Sequence, residues 1–215
     1  MKLMHVDASP KGAKSNSRML SGQFVEMLRE RIPALSVDYL DLAQDPPPHV
    51  SGDFARAIYT PEEERTPQMR ALLEPSDAMC RRVLAADALL FAMPMYNWSM
   101  PSSFKAFLDL IVRGGVTYIA GPDGYAGQLA RHKVLFLTTR GADLRDGSPF
   151  AGMDALTPAL THGFGFIGVR DPWFVDAQPL QFAQPEERAA GLARAQAELA
   201  MVADRWAADV MSEAA

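Results

Sequence analysis

The run Ala88-Leu89-Leu90-Phe91-Ala92-Met93 is apolar at every position, with Asp87 before it and Pro94 after it. A strand with one wetted face alternates apolar and polar residues. An unbroken run of this length belongs to a strand buried on both sides, as in parallel sheets clad by helices on each face. Leu3 to Asp7 and Lys133 to Thr138 share this character, and Ser36 to Leu42 and Phe166 to Phe174 supply two further strands. Helical patterns separate them. Leu20, Phe24 and Leu28 recur every four residues, with Met27 alongside, until Pro33 ends the segment. Thr66 to Ala86 reads as a helix that Pro75 can kink, with Ser76 available as a second N-cap. Pro101 opens a helix with Phe104, Phe107-Leu108 and Ile111-Val112 on one face. Further helices are expected over 152–163 and from Pro185 to Met211. Strand and helix alternate along the chain, which predicts an α/β fold: a parallel sheet covered on both faces.

Two segments are less regular. Pro46-Pro47-Pro48 breaks the chain, and 49–65 is polar, with Glu62-Glu63-Glu64 reading as a solvated helix start. Residues 114–131 are rich in glycine and aromatics and read as a long loop or small hairpin inserted in a single domain spanning 1–215.

The charge balance is 21 − 26 = −5, without the basic footprint of a nucleic-acid binder. No apolar run approaches the roughly 18 residues of a membrane span, and the polar start Met1-Lys2-Leu3-Met4-His5 does not read as a signal peptide. The lone cysteine, Cys80, excludes an intrachain disulfide and fits a reducing, cytoplasmic setting; it reads as a small buried side chain. His5, His49, His132 and His162 are scattered without metal-ligand spacing, so no metal is expected.

In sheets of this kind ligands bind beyond the carboxyl ends of the strands. That rule directs attention to the loops after the first, third and fourth strands. The first loop, Ser9-Pro10-Lys11-Gly12-Ala13-Lys14-Ser15-Asn16-Ser17-Arg18, ends at a helix N-terminus, where free N–H groups and the dipole attract an anion such as a phosphate. Ser15 and Ser17 read equally well as simple helix caps. The loop Pro94-Met95-Tyr96-Asn97-Trp98-Ser99-Met100-Pro101 places aromatics and methionines where polar residues are the rule. A flat ring system such as isoalloxazine needs such apolar cover, with backbone polar groups for its edge. In Thr138-Thr139-Arg140-Gly141-Ala142-Asp143, Gly141 permits close approach to a ligand. Arg140 reads either as a neighbour of the flavin N1–C2=O2 region or as the partner of a surface carboxylate such as Asp143.

Together these loops resemble the FMN-dependent NADH:quinone oxidoreductases, also called NADH-azoreductases. The likeness rests on Ser9-Pro10, Ser15-Asn16-Ser17, Pro94-Met95-Tyr96-Asn97-Trp98 and Thr138-Thr139-Arg140-Gly141. It extends to Phe107-Leu108-Asp109, Arg113-Gly115-Thr117 and Gly165-Phe166-Ile167-Gly168. The resemblance implies a flavodoxin-like three-layer sandwich with a five-stranded parallel sheet in the order 2-1-3-4-5. It further implies FMN phosphate held by Ser9 and Ser15, Asn16 and Ser17. Pro94, Met95, Tyr96, Asn97 and Trp98 would line the isoalloxazine, and Thr139, Arg140, Gly141 and Ala142 would close its pyrimidine side. It implies a homodimer with flavin near the interface, and ping-pong transfer of two electrons from NADH or NADPH through flavin N5 to a quinone or azo acceptor. No protein nucleophile or acid–base pair is then required. Trp98 stands where the family usually has phenylalanine, Asn16 where glutamine is common, and Ala142 in place of a second glycine. Trp98 and the 118–125 loop are expected to reshape the acceptor pocket. The competing reading is a flavin-binding electron carrier or sensor without turnover.

Overall fold

The computed structural model describes residues 1–122 and 124–213; residue 123, inside the expected 114–131 insertion, lies outside them. Strands β1 (Lys2–Asp7), β2 (Ser36–Asp41), β3 (Ala88–Pro94), β6 (Lys133–Thr139) and β7 (Trp173–Ala177) form one sheet in the order β2-β1-β3-β6-β7, with every pairing parallel. The remaining strands, β4 (Tyr118–Gly121) and β5 (Gly124–Gly127), pair with each other as an antiparallel hairpin. With that hairpin set aside, the order is 2-1-3-4-5, the flavodoxin-like arrangement.

β3 shows why its sequence is apolar throughout. Leu89, Phe91 and Met93 face a core built with α3 (Pro67–Leu84), α4 (Ser102–Ile111) and α5 (Leu156–Phe166). Ala88, Leu90 and Ala92 face a second core with α1 (Asn16–Arg31) and α6 (Pro185–Glu213). Phe91 sits among Phe104, Phe107, Phe136 and Phe164, with ring centroids 4.8–5.8 Å apart. On the other face Trp206 packs edge-on against Phe24 at 5.4 Å.

Three expectations need correction. The fifth strand begins at Trp173, not Phe166: Phe166 closes α5, and Gly168 (φ 105°) and Asp171 (φ 49°) turn the chain before the strand starts. The preceding helix runs Leu156–Phe166 rather than 152–163, with only a 3-10 turn at Ala151–Met153. Ser76 caps nothing. α3 continues through Pro75, and the buried Ser76 hydroxyl donates to the Leu110 carbonyl at 2.6 Å, tying α3 to α4. The polar stretch 49–65 contains α2 (Gly52–Tyr59), whose first turn is capped by the Ser51 hydroxyl accepting from the Phe54 N–H at 3.1 Å. Phe54 and Ala57 are its buried side chains. Glu62–Glu64 is an exposed 3-10 turn.

The hairpin docks at the end of α5. A Cβ on Gly127 would lie 2.1 Å from the backbone of Ile167 and Gly168, so only glycine permits this approach. Gln128 N–H donates to the Thr117 carbonyl and Leu129 N–H to the Ile167 carbonyl, both at 2.9 Å. Tyr118, Tyr125 and Phe166 form an aromatic cluster there, with Tyr125 and Phe166 exposed.

Candidate functional site

The parallel register brings the strand ends to one rim. Asp7 lies opposite Ala92, Pro94 opposite Thr139, and Thr139 opposite Ala177. Backbone bonds beyond the strands then tie the loops together. Ala8 N–H donates to the Ala92 carbonyl, Met95 N–H to that of Thr139, and Arg140 N–H to that of Ala177, at 2.9–3.0 Å. Along this rim runs a cleft of ≈ 620 Å³, in the range of small-ligand sites. Ten residues expected from sequence line it: Asn16, Pro94, Met95, Tyr96, Asn97, Trp98, Thr139, Arg140, Gly141 and Ala142.

The loop after β3 is a two-residue turn. Tyr96 and Ser99 exchange both backbone bonds, 2.9 and 3.0 Å, while Asn97 (φ 48°) and Trp98 (φ 68°) occupy the left-handed region. Asparagine tolerates that region; tryptophan does so at a cost of order 1 kcal/mol. The turn leaves the N–H groups of Asn97 and Trp98 outside its own bonds. The Trp98 carbonyl accepts from Ala155 N–H at 3.1 Å, and its ring lies 5.6 Å from Phe150.

Ser9, Ser15 and Ser17 do not line the cleft; all three are buried, within the loop after β1 and the first turn of α1. Ser15 Oγ caps α1 by accepting from Arg18 N–H at 3.3 Å and lies 3.0 Å from Ser17 Oγ. Both the capping role and the bordering helix N-terminus read from sequence are therefore present in one loop. The loop is fastened from below. Arg18 donates twice to the Ser9 carbonyl, at 2.9 and 2.7 Å, and forms a bidentate pair with Asp41. Asp7, also buried, accepts from Ser21 at 2.9 Å and Tyr39 at 3.0 Å, lies 3.2 Å from His5 Nε2, and stands 3.7 Å from Arg18. Burial pushes the Asp7 carboxyl up, but His5, Ser21 and Tyr39 outweigh it and hold it below the usual carboxylate range. Burial and the neighbouring Asp7 charge push Tyr39 up to about 12.

Arg140 pairs with carboxylates, as one of its two readings had it, though Asp154 and Asp176 stand in place of Asp143, and it also lines the cleft. Its side chain is 3% exposed, and its guanidinium donates to Thr138 Oγ1 (3.1 Å), Asp154 (2.7 Å), Thr157 Oγ1 (2.8 Å) and Asp176 (3.0 Å). The guanidinium is thus consumed in fixing the loop to α5 and β7. Asp143, its expected partner, pairs with Arg145 instead. Burial raises the Asp176 carboxyl above its ordinary range, against the pull of Arg140.

Sequence reasoning missed a fourth wall. Leu180, Gln181 and Phe182 line the cleft, as do Lys11, Lys14, Leu144 and Arg188. The 180–182 segment is bonded to the loop after β6, with Leu180 N–H donating to the Arg140 carbonyl and Phe182 N–H to that of Gly141, both at 3.0 Å. A Cβ on Gly141 would meet the Phe182 ring at 3.1 Å. The segment follows β7, so the sheet-edge rule that pointed to the other loops applies to it equally. Among the described residues no group of three or more His, Cys, Asp or Glu side chains is placed to share a metal ion, and no helix is long and apolar enough to cross a membrane.

The flavodoxin-like fold family matches residues 1–202 of the chain. An FMN-dependent NADH:quinone oxidoreductase of Nostoc sp. is 37% identical over 205 residues, 95% of this chain and 99% of the relative. FMN-dependent NADH:quinone oxidoreductase 1 of Trichormus variabilis is 39% identical over 206 residues, 96% of this chain and 97% of the relative. Among solved structures, azoreductase from Bacillus anthracis str. Sterne superposes with a TM-score of 0.87 at 22% identity, covering 95% of this chain and 99% of its own. The FMN complex of an FMN-dependent NADH-azoreductase from Bacillus anthracis str. Ames Ancestor gives 0.85 at 22% identity, covering 96% and 99%. At that identity the structural likeness speaks for the fold.

Proposed function

Because the chain belongs to the FMN-dependent NADH:quinone oxidoreductase family of flavodoxin-like fold, we propose that its sheet-edge cleft holds FMN and serves electron transfer from NADH to quinone or azo acceptors. The protein is an FMN-dependent oxidoreductase. The observation that carries the site assignment is the convergence of the loops after β1, β3 and β6 on one cleft of matching chemistry.

The donor set fits the group. Beside the α1 N-terminus, Lys11, Lys14 and Asn16 line the cleft and would hold the phosphate, with Ser9, Ser15 and Ser17, buried in the same segment, shaping that loop around it. Met95, Tyr96 and Trp98 offer apolar cover, and the main chain of Asn97 and Trp98 offers donors for a polar ring edge. Thr139, Arg140, Gly141 and Ala142 would close the pyrimidine side, with Arg140 acting by immobilising the loop. When bound, FMN would supply two-electron redox chemistry through its N5 between NADH or NADPH and the acceptor, which we read as a ping-pong exchange. The chain's own work is to orient that group, shield it from water and keep its rim rigid. Within this reading the protein works as a cytoplasmic homodimer with flavin near the interface, and the exposed Tyr125 and Phe166 are candidates for the contact.

The test is a visible spectrum of purified protein, repeated anaerobically with each nucleotide and then with a quinone. Flavin absorbance that bleaches rapidly with NADH and returns with quinone is expected, with parallel lines in double-reciprocal plots. Protein that cannot be reconstituted with FMN would end the proposal. Flavin that neither nucleotide bleaches would favour a carrier or sensor.

A further inference from the structure

A second cavity of ≈ 330 Å³ adjoins the cleft and shares Ala142 and Phe182 with it. Its walls include Pro149, Phe150, Pro179 and Phe182. Phe182 is 79% exposed, an unusual position for a large apolar ring standing between two cavities. The charges in this annex cancel: Asp143 pairs bidentately with Arg145, and Glu187 and Arg194 contribute one charge of each sign. The cleft side differs. Lys11, Lys14 and Arg188 line it, and none of the three forms an ion pair with another described residue. A single flavin phosphate carries about two negative charges and is matched by the two lysines beside the serine loop. Arg188, on the first turns of α6 and from a different wall, is left over.

We propose that Phe182 and the annex receive the adenosine half of the nicotinamide dinucleotide, and that Arg188 holds its pyrophosphate. This rests on the oxidoreductase reading above and deepens it. Three observations favour the dinucleotide over the acceptor as occupant. A quinone has no charge for Arg188 to meet, whereas a pyrophosphate does. A neutral, proline- and phenylalanine-lined annex suits a purine ring, which stacks on aromatic faces. The chain's Gly-x-Gly-x-x-Gly string, Gly163-Phe164-Gly165-Phe166-Ile167-Gly168, ends helix α5 instead of joining a strand to a helix, so a dinucleotide must be held by something other than a glycine-rich phosphate loop.

The experiment titrates ADP-ribose, which has the pyrophosphate and adenosine but no nicotinamide, into FMN-loaded protein by calorimetry. It compares wild type with Arg188→Ala and Phe182→Ala, and measures FMN and riboflavin affinity in parallel. Arg188→Ala should weaken ADP-ribose by at least about tenfold, the loss of a charge-assisted hydrogen bond. Phe182→Ala should weaken it by roughly two- to tenfold. Both side chains border the cleft assigned to FMN, so FMN affinity is read as the reference: it should fall by a smaller factor than ADP-ribose affinity in each variant. Loss of FMN but not riboflavin affinity in Arg188→Ala would show that Arg188 serves the flavin phosphate and would overturn the proposal. So would ADP-ribose binding that neither variant alters, or an Arg188 effect confined to a sulfonated quinone. A control with an uncharged N-benzyl dihydronicotinamide separates the two levels. If even that donor fails to bleach FMN-loaded wild type, the oxidoreductase reading falls and the subsite with it.

Discussion

Arg140→Met tests whether the rim is held by a buried charge network rather than by loop sequence alone. The arginine is 3% exposed and holds two carboxylates and two hydroxyls. Asp154 would survive its loss with partners intact, since it also accepts from Leu156 N–H, Thr157 N–H and the Thr157 hydroxyl. Asp176 would keep only the Thr138 hydroxyl. Removing one partner of a buried pair costs about 3–5 kcal/mol, chiefly by stranding the other charge. For a domain of this size that is a fall in Tm of roughly 6–20 °C. The loss must also depend on pH. Burial already raises Asp176 above its ordinary value of 3.8, and without Arg140 it rises further. A group raised on folding favours the folded state only while protonated, so its contribution is present below the ordinary value and is lost as pH rises through the folded value. The variant's deficit should therefore be largest at pH 7 and shrink as pH is lowered toward 4. Thermal unfolding of the apoprotein by circular dichroism across that range reads both quantities. A deficit below about 1 kcal/mol, typical of a surface ion pair, or one that does not change with pH, would refute the reasoning.

Asp7 predicts the opposite slope. Its carboxyl is lowered on folding, so its stabilisation is present above the ordinary value of 3.8 and disappears as pH falls through the folded value; Asp7→Asn should flatten the acid limb of a urea-midpoint against pH curve. Gly127→Ala puts a methyl 2.1 Å from the Ile167 backbone, and an overpacking cost of about 1–3 kcal/mol should appear with faster amide exchange over 118–127. Cys80 is buried, and burial raises its thiol to about 11, so a thiol reagent at pH 8 should label it only after denaturation, as read by intact mass. Asn97→Ala should weaken FMN binding by about 1 kcal/mol for one lost hydrogen bond, with a little more because alanine is less at ease at φ 48°; fluorescence titration measures it, and loss of all bound cofactor would contradict that size.

Where the sequence could be read, burial was encoded in a periodicity. The unbroken apolar run of β3 announces two covered faces because Leu89 and Leu90 point into different cores. The four-residue stripe Leu20, Phe24, Leu28 announces α1 because that stripe, with Val25 beside it, is buried against the sheet. The partners of Ser76 and Arg140 went unread for a shared reason. Each residue is polar and bonds a partner distant in sequence, Leu110 for one and Asp176 for the other. No local pattern records such a partner.

The misplaced fifth strand had a larger consequence than its own boundary. The stretch beginning at Phe166 is apolar because Ile167 and Val169 join the core that contains Phe136 and because Phe166 meets the hairpin. That run imitates a strand without joining the sheet. Once the strand is seen to end at Ala177, opposite Thr139, the segment leaving it is Gln178 to Phe182. The same rule that singled out the loops after β1, β3 and β6 then singles out this one as well. The rule locates a site only as sharply as the carboxyl end of each strand is known. Applying it to three strand ends and not to that of β7 left a whole wall of the cleft unread, and with it Phe182 and Arg188.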